Sequence, residues 1–174
     1  MEKQLMRLAD ARVIGGSFIV AFICVLIFGQ VVERLGTGIL DSYDTYDYAE
    51  VMRVFMVYGE DGRSLYTYSA LILDSIFPLA YGTFFAGLLM RYRVHRWAII
   101  AVYILILGLL VDFAENTQFA LLLTAYPAIT PEAVNMAATT TELKWLLLRP
   151  VQYFAFAQIA IAIGIWCTKE LKKI

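Results

Sequence analysis

Charged side chains are scarce in this chain, at 17% of its 174 residues, and nowhere do they gather into a long solvated tail or a basic track. Fourteen Lys and Arg offset 15 Asp and Glu, and the resulting net charge of −1 offers neither a nucleic-acid-binding surface nor a uniformly acidic or basic partner surface. Cysteine is nearly absent. Cys24 falls inside one apolar run and Cys167 at the end of another, so neither is placed for a disulfide. The one histidine, His95, stands in the basic turn RYRVHRW without a cysteine or carboxylate at ligand spacing, which argues against zinc. No glycine-rich phosphate loop, nucleophile elbow or H-E-x-x-H motif occurs. The residues therefore imply no metal, no cofactor and no nucleic-acid partner, and any chemistry is expected within the apolar part of the molecule.

What the chain has in abundance is apolar surface: 61% of it is hydrophobic and the mean hydropathy is +0.70, too high for a water-soluble domain of this length. A membrane-spanning helix needs roughly 20 mostly apolar residues, and four stretches qualify, at about 13–32, 68–90, 97–123 and 146–167. The first has too long an apolar core for a signal peptide and lacks a small-x-small cleavage site, so it reads as a retained anchor. Lys3, Arg7 and Arg12 precede it, Arg91, Arg93 and Arg96 fill the short second loop, and Lys169, Lys172 and Lys173 close the chain. The positive-inside rule puts all three groups in the cytoplasm, with the bacterial inner membrane as the expected location. The loop 33–67 carries Glu33, Asp41, Asp44, Asp47, Glu50, Glu60 and Asp61 against Arg34, Arg53 and Arg63, which suits the outer face. The predicted fold is an all-α, four-transmembrane-helix bundle forming a single membrane domain over 1–174.

Two outer segments have a pattern of their own. Asp44 or Thr45 can cap a helix over 45–58, with Asp47 and Glu50 in its first turn and Val51, Phe55 and Tyr58 on one face. This predicts an amphipathic helix in the first outer loop, lying on the membrane surface or over the mouth of the bundle, with Tyr43, Tyr46 and Tyr48 at the interfacial level. Calcium at Asp41, Asp44 and Asp47 is disfavoured, because their spacing of three departs from the one-three-five pattern of an EF-hand and the central glycine is missing. The segment 131–144 opens on a proline suited to a first helical turn and is expected to run into the last span. Gly15 and Gly16, at the start of the first span, are expected to permit close helix packing.

Ionisable residues inside spans cost of order 2.5–3.5 kcal/mol each at the bilayer centre, so each is a functional hypothesis. Asp74 lies in LILDSIFPLAYG of the second span, and Asp112 and Glu115 lie in LLVDFAENTQFA of the third. Asp112, Glu115, Asn116 and Phe119 follow i, i+3, i+4, i+7 and share one helical face, which is expected to point into the bundle. Asp74, Pro78 and Tyr81 form a stripe on the second span. Pro78 has no N–H, so the carbonyl of Asp74 is left without its helical donor, a free acceptor beside a carboxylate. The fourth span adds Lys144, Arg149 and Gln152, with Pro150 expected to bend the helix among them. If these residues meet, three acids face two bases. Such a set is either a ligand or acid-base site, or a network of ion pairs that fixes the helices together.

These motifs, L-x-x-D-x-x-F-P-x-x-Y-G in the second span, D-x-x-E-N in the third and T-x-x-K-W before the fourth, resemble those of a family of small bacterial four-helix integral membrane proteins that has no assigned activity. The resemblance covers roughly 71–144 and rests on Asp74, Phe77, Pro78, Tyr81, Asp112, Glu115, Asn116, Thr141 and Lys144. It implies the fold and supplies no chemistry. In topology the chain is also similar to the four-span EXPERA group of sterol isomerases and sigma-2-type receptors, with a long first outer loop and acidic residues in the bundle.

Together these features lead to an expected ligand site of Asp74, Tyr81, Asp112, Glu115, Asn116, Lys144, Arg149 and Gln152, open to the outer leaflet and suited to a lipid-like or small amphiphilic ligand. The alternatives are an intramembrane acid-base enzyme acting on a lipid-like substrate and an accessory or scaffold subunit of a larger membrane complex. Membrane lipids are expected partners in every case, and a membrane protein or a second copy of the chain in the last.

Overall fold

The computed structural model describes residues 2–171 and the side chains of 5–168; Lys172 and Lys173, and the side chains of Lys3 and Lys169, lie outside the described residues. Six α-helices follow in chain order: α1 (Glu2–Leu8), α2 (Ala11–Leu35), α3 (Tyr48–Tyr68), α4 (Asp74–Arg91), α5 (Trp97–Ala125) and α6 (Pro131–Leu171). The described chain has no strands. Four helical stretches are long and apolar enough to cross a membrane: Ala11–Leu35, Tyr48–Arg91, Trp97–Ala125 and Pro131–Thr168.

Local chemistry fixes the ends and breaks of these helices. Asp10 caps α2 by accepting from the Arg12 amide at 2.7 Å, and Gly36, at φ 71°, ends it in the left-handed conformation that a Cβ would strain. The helix expected over 45–58 begins instead at Tyr48, because the cap is Asp47, whose Oδ1 accepts from the Glu50 amide at 2.8 Å. Asp44 is bound elsewhere, as described below. Its end at 58 is as expected: Gly59, where φ is 64° and ψ −175°, is not helical and breaks α3, which resumes beyond it to Tyr68. A single π-helical turn, Ser69–Leu73, then joins α3 to α4. Such turns insert a residue into the helical register and recur at functional sites, and here the turn ends beside Asp74. α6 runs continuously from Pro131 to Leu171 through Pro150.

α5 is the central element, packed against α3, α4 and α6, while α2 packs on α4. Two apolar cores form along its length. One, near the Arg91–Trp97 end, joins Leu89, Met90, Val102, Leu105, Leu148 and Val151; the other, at the opposite end, joins Leu40, Val51, Phe55, Tyr66, Phe119 and Val134. Between them lies a layer of buried polar residues on α4, α5 and α6: Asp74, Asp112, Glu115, Asn116, Thr141 and Lys144.

Close packing of the helices falls on glycines other than the expected pair. Gly15 and Gly16 have nothing within 4 Å of where a Cβ would stand, because α2 presents that face away from the bundle. The tight approaches occur instead at Gly82 against Leu109, Gly108 against Leu148, and Gly87 against Ile14 and the Leu8 carbonyl.

Candidate functional site

Pro78 sets the first part of the polar layer. It deprives the Asp74 carbonyl of its helical donor, and Asn116 on α5 supplies the replacement, its Nδ2 donating to that carbonyl at 2.8 Å. Two turns along α4 from Asp74, Tyr81 donates to Asp112 Oδ2 at 2.6 Å. These two bonds hold α4 to α5, one at Asp74 itself and one at Tyr81. The helical spacing of Asp112, Glu115, Asn116 and Phe119 does turn all four inward, since each is buried.

Lys144 on α6 reaches into the same layer and is 3% exposed. Its ammonium pairs with Asp41 and with Glu115, stands 3.8 Å from Asp112 Oδ1, and donates to the Asp41 carbonyl at 3.2 Å. Carboxylate oxygens of Asp41, Asp112 and Glu115 converge to within 4.8 Å of one another, a spacing open to a metal ion, but the lysine nitrogen stands among them. Thr141, one turn before Lys144, gives its single proton to Glu115 Oε1. The 3.1 Å contact between Tyr46 and Thr141 is then a bond in which the tyrosine donates. Burial pushes the Tyr46 phenol above its ordinary value, which keeps it a neutral donor.

Asp41 and Tyr46 come from the segment between α2 and α3, which lies along α6 as a strap. Asp41 meets Lys144, the Tyr43 carbonyl accepts from Trp145 Nε1 at 3.2 Å, Asp44 pairs with Arg149, and Tyr46 meets Thr141. Two cations stand over the Trp145 ring, Lys144 Nζ 4.8 Å and Arg149 Cζ 4.7 Å from its centroid.

Beneath the strap, between α4 and α6, is a cavity of about 260 Å³ lined by residues of both kinds. Its lining mixes polar groups, from Asp41, Asp74, Asp112, Lys144 and Gln152, with apolar ones, from Phe77, Tyr81, Phe85, Trp145 and Leu148. At the Arg91 end the two helices are bridged by Phe85 and Phe156, edge to face with centroids 5.8 Å apart.

Of the expected site residues, Asp74, Tyr81, Asp112, Lys144 and Gln152 line this cavity. Glu115 and Asn116 stand behind it, bonded to Lys144 and to the Asp74 carbonyl. Arg149 is outside, on a strap carboxylate that is itself 73% exposed. The ratio of three acids to two bases is therefore replaced by four carboxyl groups, those of Asp41, Asp74, Asp112 and Glu115, about one ammonium. Asp41 and Trp145 have no periodic signal in the sequence; Asp41 lies in a loop 103 positions from its partner. Compared with known protein families, with curated proteins and with solved structures, the chain matches none.

Proposed function

We propose that this chain is a polytopic membrane protein that binds a lipid-like or small amphiphilic ligand in the cavity between α4 and α6. The observation that carries the reading is the mixed lining of the cavity, in which carboxyl groups and an ammonium stand together with aromatic and aliphatic carbon within the apolar reach of the bundle. A head group with a short apolar part matches such a wall, as in most small-molecule sites.

Insertion in a bilayer is supported by the outward faces. In the most apolar window of α2 only 11% of residues are buried, and in that of α6 only 22%, leaving Phe18, Phe22, Leu26, Leu146 and Phe156 exposed. Apolar surface that continuous has no counterpart on a water-soluble monomer. Arg91, Arg93 and Arg96 lie at one end of the bundle, and Glu33, Glu60 and Asp61 belong to the other. The positive-inside rule then orients the arginine end and both chain termini to the cytoplasm of an inner membrane. The half of α3 before Gly59, with Val51, Val54 and Phe55 inward and Glu50 and Arg53 joined at 2.6 Å on its other face, is the amphipathic cover on the outer side.

A second reading, acid-base catalysis on a lipid-like substrate, draws on the 2.6 Å bond between Tyr81 and Asp112 at the cavity wall. Native mass spectrometry of the protein extracted with its own membrane lipids tests both, comparing the unmodified chain with Asp112→Asn. A small molecule retained by the first and lost from a folded variant is the expected result. A co-purifying protein with no retained small molecule would overturn it in favour of a subunit of a larger complex.

A further inference from the structure

The chemistry of the cavity is one-sided. Three of its lining residues are carboxylic acids, Asp41, Asp74 and Asp112, and its one ammonium, Lys144, is already engaged by Asp41 and Glu115. Asp74 is 3% exposed, lines the cavity, and has no partner for its Oδ2. Asn116, which holds the Asp74 carbonyl, likewise has an unpartnered Oδ1. With Asp74 ionised, both unpartnered atoms are acceptors and this part of the layer lacks a donor; beside a carboxylate the donor that gains most is a charged one.

Three ligand classes fit worse. An anionic head group would enter against three carboxyl groups. An uncharged head group can donate to Asp74 but leaves the charge of a buried carboxylate without an opposite partner. A metal ion would favour the converging carboxylates of Asp41, Asp112 and Glu115, and Lys144 stands among those. The remaining wall also favours a cation with a carbon tail. Phe77 and Tyr81 meet edge to face at 5.0 Å, and with Phe85 they line the cavity next to Asp74. A cavity of roughly 150 Å³ holds a benzene ring, so about 260 Å³ admits a head group with several carbons attached.

We propose that the cavity holds the ammonium group of an amphiphilic amine, with its nitrogen on Asp74 and its apolar part against Phe77, Tyr81 and Phe85 between α4 and α6. This rests on the amphiphile-binding reading above and narrows it to one class of head group.

The test uses the full chain in zwitterionic-lipid nanodiscs and three radiolabelled probes with the same tail: octylammonium, octanol and octyl sulfate. Equilibrium dialysis against empty nanodiscs isolates saturable binding by the protein from partition into lipid. Octylammonium is expected to bind saturably and more tightly than the other two by about tenfold or more, the fold-change that one desolvated ionic contact supplies. In Asp74→Asn, with folding checked by circular dichroism, the preference for octylammonium over octanol is expected to vanish. Equal affinities for all three probes, or a preference for the sulfate, would overturn the ammonium assignment and leave amphiphile binding standing. No saturable binding by any probe would overturn both. A folded Asp74→Asn protein that keeps the amine preference removes Asp74 as the anchor. Should that variant fail to fold, the comparison of head groups on the unmodified chain still decides.

Discussion

Asn116 donates to the backbone carbonyl of Asp74 at 2.8 Å, across the contact between α5 and α4. That carbonyl is available because residue 78 is a proline. A defect in one helix is thus repaired by a side chain from its neighbour, and the repair fixes Asp74 at the cavity wall.

The repair is testable as a cycle. Asn116→Ala is expected to lower stability by about 1–3 kcal/mol, the range for leaving a buried polar group without its partner. In a Pro78→Ala background the residue 78 amide can bond the Asp74 carbonyl, so the cost of Asn116→Ala is expected to shrink. Thermal unfolding of the four proteins in one detergent gives the coupling; a cost that is the same in both backgrounds would refute the link.

Lys144 is the one cation among Asp41, Asp112 and Glu115. Lys144→Met is expected to destabilise the fold by about 3–5 kcal/mol, because uncompensated buried charge remains after one partner is removed. Adding Glu115→Gln to Lys144→Met is expected to recover part of the loss. The measurement is the thermal midpoint in detergent, and a neutral Lys144→Met would count against a charged core.

The Arg149–Asp44 pair is a contrast. Its side chains are 43% and 73% exposed, so Arg149→Ala is expected to cost no more than about 1 kcal/mol. The same unfolding assay checks this, and a loss as large as that of Lys144→Met would mean that the strap is held mainly from its exposed side.

The glycines give a graded series. A Cβ at Gly87 would lie 2.6 Å from the Leu8 carbonyl oxygen, a backbone atom that cannot rotate aside, whereas at Gly82 the nearest atom, at 2.5 Å, is the end of the Leu109 side chain. Gly87→Ala is therefore expected to cost about 1–3 kcal/mol and Gly82→Ala less, while Gly16→Ala, in open space on a helix, is neutral or stabilising. Relative thermal midpoints of the three variants test the order.

The sequence alone determined the helical class and the four long apolar stretches, because hydrophobic length is a local property. It also determined that Asp112, Glu115, Asn116 and Phe119 share a buried face, since a helical period fixes direction once the helix exists. The orphan carbonyl of Asp74 was legible for the same reason: proline acts on its own helix.

The tertiary structure decided the partners. Whether Arg149 or Asp41 would join Lys144 in the polar layer depended on the path of a loop without periodicity, and that path follows from four contacts made along α6 by Asp41, Tyr43, Asp44 and Tyr46. It was decided likewise that Gly82, Gly87 and Gly108, rather than Gly15 and Gly16, sit at the close approaches, because a glycine serves packing only where a neighbouring helix arrives. A sequence records which groups a helix presents to one side; which groups answer them from a hundred positions away is set by how the helices and their connecting segment pack.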